Sequence, residues 1–199
     1  MQTLFRGISY IFYPGSIAAL GLGYSHLVSP FSWVVWVFFL FGVILFPLLF
    51  LFVFIRLGRV SDIFVFQREQ RHQLYALGIV FAALTTYLIF RENAVMAMVW
   101  SACNTAVLLL LFVINYMGYK ASAHMAGVSG LLAWVLCLPP DYVTVISVFF
   151  LAVLVYTARR GLSAHSHFEL ILGFCLGLFV TFAIACFLLT YHGICCSFI

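Results

Sequence analysis

The sequence predicts an all-α fold, a polytopic transmembrane helical bundle of six to seven spans with its active site at one membrane face. Three observations carry this. The 199-residue chain is 66% hydrophobic and only 7% charged, where a soluble domain is roughly 25% charged. Apolar runs of about the 20 residues needed to cross a hydrocarbon core recur along it. The few ionisable residues gather in the connections that such a topology sends to one side. A single domain, residues 1–199, accommodates all of this.

Residues 8–27 predict a first span, interrupted by Pro14 and several glycines, with Pro30 in the turn that follows. The opening segment lacks a small-residue cleavage site after an apolar run, so this span is expected to stay. Residues 31–55, "FSWVVWVFFLFGVILFPLLFLFVFI", predict the second span. The polar stretch "RLGRVSDIFVFQREQRHQ" follows. Residues 73–90 and 94–116 predict a hairpin turning at Arg91-Glu92-Asn93, in which Ser101 and Asn104 are expected to bond between helices. Residues 125–138 and 142–157 predict a second hairpin, turning at Pro139-Pro140-Asp141, and a last span covers about 168–191.

Each hairpin leaves one face and returns to it. The connections 56–72, 117–124 and 158–168 therefore meet at one membrane face, side A. Eight of the nine Lys and Arg residues fall there: Arg6, Arg56, Arg59, Arg68, Arg71, Lys120, Arg159 and Arg160, against Arg91 on side B. His72, His124, His165 and His167 join them, with His26 and His192 opposite. The positive-inside rule accounts for part of this bias. It does not account for histidines and a glutamate set beside the arginines, and ionisable groups at the ends of packed spans point to function. Transporter groups belong near the midplane instead.

The densest cluster is "ARRGLSAHSHFEL", residues 158–170. Arg159, Arg71, Arg68 and Lys120 are cations able to hold a phosphate ester, and the arginine fork suits phosphate oxygens. His124 and His165 come from different connections and could flank one phosphorus atom, one as nucleophile and one as proton donor. Glu169 lies four residues after His165, on the same helix face, where a carboxylate fixes the imidazole tautomer. Ser122 could add a hydrogen bond to the phosphate, and a helix N-terminus near each motif attracts anions. His167 and His72 are expected to be solvated.

The six cysteines show no CxxC spacing, so neither a zinc site nor a disulfide framework is expected. The tail "CCSFI" lacks the aliphatic residue of a prenylation box. No cofactor, metal or nucleic-acid partner is called for.

These motifs resemble those of the type 2 phosphatidic acid phosphatase family, related to vanadium haloperoxidases, whose motifs run K-x6-R-P, P-S-G-H and S-R-x5-H-x3-D. The third corresponds to Arg159, His165 and Glu169, with Ala158 for Ser and Glu for Asp. The second corresponds to "ASAH", with Ser122 and His124 in place and Ala121 and Ala123 for Pro and Gly. Of the first, Arg71 stands in the Arg position, while Phe64 stands in the Lys position and no Pro follows. Lys120 supplies a cation in the "KxSAH" form seen in short bacterial members. The resemblance implies a metal-free lipid phosphatase of a bacterial inner membrane. In it His165 attacks phosphorus, Glu169 orients His165, His124 protonates the leaving group and Arg159 binds phosphate. It also leaves open a lipid phosphotransferase, or an inactive member that binds lipid phosphates. Polyprenyl phosphates or diphosphates, phosphatidic acid and phosphatidylglycerol phosphate are all candidate substrates.

Overall fold

A computed structural model of the chain describes residues 1–61, 65, 67–139 and 142–194. Phe64, Pro140, Asp141 and the "CCSFI" tail, on which some of the expectations above rest, lie outside the described residues.

Every element among the described residues is a helix: α1 (Gln2–Ile11), α2 (Pro14–Val28), α3 (Trp33–Arg56), α4 (Arg71–Arg91), α5 (Val95–Tyr116), α6 (Ala123–Cys137), α7 (Tyr142–Gly161) and α8 (His167–Tyr191). Five of them, α3, α4, α5, α7 and α8, are long and apolar enough to cross a membrane. Helix α6 is apolar but has 15 residues, which is about 22 Å against a hydrocarbon core of about 30 Å. It sits at the centre of the bundle, with twelve of its 15 residues buried, so the surrounding helices face the lipid in its place.

The first span expected over residues 8–27 is a point of difference. Two helices take its place. Pro14 has no N–H to continue a helix and starts a new one at its first position, while Tyr13 before it is held extended (φ −58°, ψ 147°). Helix α1 is amphipathic and packs on α7, where the Phe5 ring lies over Gly161. Helix α2 turns inward against α5 and α6.

Helix α3 contains a π-helical turn, Leu40–Leu45, in which the Phe46 N–H reaches the Phe41 carbonyl. Pro47 explains the widening. It cannot donate to the carbonyl four residues earlier, and the backbone relaxes around the missing bond. Helices α4 and α5 form the expected hairpin, tied by Thr86 Oγ1 to Ser101 Oγ (2.8 Å) and Thr105 Oγ1 (3.2 Å). Asn104 does not join in: its amide bonds the Trp100 carbonyl of its own helix (2.8 Å).

The core is built on α6. The rings of Trp134 and Trp100 lie 5.7 Å apart, and their indole N–H groups donate to the Ser25 hydroxyl and the Ala18 carbonyl of α2. On the other side α6 meets α8 across small residues, the usual basis of close helix contact in membranes. A Cβ on Gly173 would lie 2.4 Å from the Ser122 carbonyl oxygen, and one on Gly177 would lie 2.0 Å from that of Ala126. This close approach sets the start of α8 against the start of α6.

Gly177→Ala should therefore lower the melting temperature in detergent, at a cost of about 1–3 kcal/mol from overpacking. At Gly78 an added Cβ meets only Leu108, at 3.9 Å, and Gly78→Ala should not lower it. Parallel thermal unfolding of the two variants checks this.

Candidate active site

The turn between α7 and α8 is the local structure from which the site grows. Leu162, Ser163 and Ala164 donate back to the carbonyls of Ala158, Arg160 and Arg159, and Ser163 takes a left-handed backbone (φ 52°). The chain thereby folds His165 back toward the end of α7. Ser166 caps α8: its hydroxyl accepts from the Glu169 N–H and the Glu169 carboxylate accepts from the Ser166 N–H, both at 3.2 Å. This capping box holds the glutamate at a fixed place over the helix N-terminus.

The same carboxylate oxygen, Oε2, accepts from His165 Nδ1 at 2.8 Å. An ionised carboxylate only accepts, so Nδ1 carries the hydrogen and Nε2 keeps the lone pair in the neutral ring. Lys120 Nζ lies 3.9 Å from that oxygen and donates to the Ala164 carbonyl at 3.1 Å. Ser122 N–H donates to the Glu169 backbone carbonyl (3.1 Å), binding the second motif to the third.

His165, His124, Arg159 and Arg71 all line one pocket of about 330 Å³. All four residues are buried, Arg159 at 1% and His165 at 4% exposure. Arg71 also reaches the Val65 carbonyl through Nε (2.8 Å), with Tyr75 beside it in the same wall. His124 Nε2 donates to the Ser9 carbonyl at 3.2 Å, so its lone pair lies on Nδ1 when the ring is neutral. Each histidine is thus held by one ring nitrogen and keeps the other.

Other expected residues lie beside the pocket rather than in its wall. Ser122 uses its hydroxyl to cap α6, accepting from Met125 N–H at 3.4 Å. Arg68 bonds the Asn115 carbonyl (3.2 Å) and pairs with Glu69, joining the α4 entry to the end of α5. Lys120 and Glu169 stand behind His165. His167 is exposed and bonds Tyr156 and Arg160, while His72 holds the Glu69 carbonyl. Arg159 and Arg160 differ because consecutive helix residues point about 100° apart: one faces the pocket, the other the surface.

Among the polar wall residues that the sequence reading did not single out are Ser9, Tyr13 and Tyr75. Ser9 is 2% exposed, and its hydroxyl finds no partner among the described residues. A single first span over residues 8–27 gave no reason to place it here. Tyr75 follows Arg71 by one helical turn, a spacing that could have placed it on the same face.

The electrostatics follow from burial and a local excess of cations. Burial first, then the charges of Arg71, Arg159 and Lys120, push the His165 ring down to about 2. Burial and Arg71 also lower Lys120, while Glu169 pulls it the other way. Tyr13 is pushed up to about 12 by burial and by Tyr75. His165 therefore stays an unprotonated base, and the pocket as a whole is electropositive. A dianion placed there would neutralise the charges that depress the histidines.

No family model, curated protein or solved structure matches this chain.

A buried neutral histidine links stability to pH. The unfolded chain takes up a proton below about pH 6.5 that the folded site refuses. Stability from this group is complete above that pH and declines below it. The melting temperature in detergent should fall between pH 7 and pH 5, and less steeply in His165→Gln. Equal slopes in the two proteins would contradict the assignment.

Proposed function

We propose that this protein is an integral membrane phosphatase that hydrolyses a lipid phosphate or diphosphate through a phosphohistidine on His165. The observation that carries the reading is the 2.8 Å bond between His165 Nδ1 and Glu169 Oε2, which backs a ring that lines one pocket with His124 and two buried arginines. The motif resemblance to type 2 phosphatidic acid phosphatases supports it. So does the topology, which gathers the polar groups at one end of apolar helices, where an amphiphile's head group would lie.

In this reading Arg159 and Arg71 hold the phosphate oxygens, and burial strengthens each charge-assisted bond. His165 Nε2 attacks phosphorus as the P–O bond to the lipid breaks. The Nδ1 hydrogen bond to Glu169 stabilises the charge that the ring gains. His124 gives the departing oxygen a proton from Nδ1, with Nε2–H steadied by the Ser9 carbonyl. Bound phosphate raises the proton affinity of His124 by offsetting the nearby cations. Water, activated by the same His124, then attacks the phosphohistidine and releases inorganic phosphate. Lys120 sets a positive charge 3.9 Å from Glu169 Oε2, and Arg68 and Ser122 act by positioning. The bundle has six or seven crossings, counting α6 and then α2 with the five long helices. It belongs to a bacterial cytoplasmic membrane.

Phosphate release by detergent-solubilised protein on a panel of lipid phosphates, with EDTA present, tests this. His165→Ala should abolish turnover, and Glu169→Gln should lower kcat by on the order of 10²–10⁴. Turnover that survives His165→Ala would sink the assignment. Transfer of the phosphoryl group to an added alcohol in preference to water would make the protein a phosphotransferase.

The role of His124 has its own signature. His124→Ala should lose turnover of alkyl phosphates, whose leaving oxygen needs a proton. With p-nitrophenyl phosphate, whose leaving group departs as an anion, it should still release p-nitrophenol in a first-turnover burst, while later turnovers wait on hydrolysis of the phosphohistidine. A burst lost as completely as the release of the alkyl alcohol would remove His124 from the acid role.

A further inference from the structure

The pocket does not end at the cations. From Arg71 it runs between α3, α4 and α5, where Val43, Leu48, Leu51, Gly78, Ala82 and Leu108 form its wall. Along α4 the wall residues Arg71, Leu74, Tyr75, Gly78 and Ala82 fall on one face. Eleven residues separate the first from the last, about 16 Å along the axis. The π-helical turn and Pro47 of α3 lie opposite. Asn104, the polar residue deep in this arm, spends its amide on the Trp100 carbonyl.

The volume limits what fits. A protein cavity of about 150 Å³ holds one benzene ring. The 330 Å³ here is filled by a phosphate and one hydrocarbon chain of moderate length. A glycerol with two acyl chains would have to leave one chain outside.

We infer that the pocket's apolar arm is a chain-binding subsite, and that the substrate is the phosphate monoester of a single-chain lipid alcohol. Its phosphate sits at Arg71 and Arg159, and its chain lies along Gly78 and Ala82. Gly78 and Ala82 set the bore: the added Cβ at Gly78 meets only Leu108 at 3.9 Å, so any longer side chain there enters the arm. The inference rests on the phosphatase reading for the chemistry of the head group, but not for the place of the chain. Alkyl and prenyl alcohols share the required chemistry, and dodecyl and farnesyl phosphate separate them.

Two experiments decide it. In the first, kcat/KM is compared for butyl, dodecyl and farnesyl phosphate and for didodecanoyl phosphatidic acid, all in the same micelles. Dodecyl or farnesyl phosphate should exceed both butyl phosphate and the two-chain lipid by at least about tenfold, since each buried CH₂ adds to binding. Gly78→Leu and Ala82→Leu should bring the ratio of dodecyl to butyl phosphate toward one. Phosphatidic acid turned over as well as dodecyl phosphate, or a ratio unmoved in both variants, would overturn the inference. In the second, the wild-type protein is irradiated with dodecyl phosphate carrying a diazirine at the chain end. The label should map to residues 43–51 or 78–82 and decrease with excess inorganic phosphate. Label confined to lipid-facing residues such as Phe149 and Phe150, which are 54% and 67% exposed, would overturn it. Competed label in the arm without turnover of any ester would refute the phosphatase reading alone. Turnover without label in the arm would refute the chain site alone.

Discussion

One carboxylate oxygen organises the site. Glu169 Oε2 receives the His165 ring at Nδ1, the backbone N–H of Ser166 and the more distant ammonium of Lys120. These contacts solve two problems together. The N–H groups at the start of α8 need an acceptor, and the imidazole needs its tautomer fixed. A carboxylate at the N-terminus of a helix is favoured by the helix dipole as well. Replacing the shorter Asp of the resembled motif by Glu gives the side chain reach for both tasks, because the N3 position of a capping box calls for Glu or Gln.

That oxygen has its place only because the helices behind it touch closely. Gly173 and Gly177 bring α8 onto α6 until the Ser122 N–H bonds the Glu169 carbonyl. The two histidines, eight residues before Gly173 and three before Gly127, then share a pocket wall with Arg159 and Arg71. Helix α1 completes the wall from outside the bundle and lends His124 a backbone carbonyl. The proposed chemistry draws on this arrangement of buried cations around two neutral rings, which is costly when empty and is relieved by an anion.

Much of this was legible in the sequence for a physical reason. Long apolar runs leave few places for charge, so alternation of spans alone brings connections 56–72, 117–124 and 158–168 to one face. The four-residue spacing of His165 and Glu169 predicts their bond but not its means: His165 lies before the Ser166 cap rather than on a face of α8, and the turn after α7 brings its ring to the carboxylate. What could not be read was whatever depends on backbone breaks and depth. Pro14 was visible as an interruption, but not that α1 would lie against α7 and offer Ser9 to His124. Ser122 looked like a phosphate ligand because hydroxyls serve as either caps or ligands, and only the start of α6 at Ala123 decides in favour of the cap. Arg68 and Arg71 are both arginines, one turn apart, yet Asn115 holds the first away from the pocket while the second lines it.

The most direct test of the central claim is to find the phosphoryl group. Protein turning over dodecyl phosphate can be quenched in alkali, which preserves phosphohistidine, digested and mapped by mass spectrometry. The account predicts phosphate on the peptide at His165 and none in His165→Ala. It also predicts accumulation in His124→Ala supplied with p-nitrophenyl phosphate, where the ester bond still breaks and hydrolysis of the intermediate is slowed. Phosphate released with no modified His165, or found on another side chain, would contradict it.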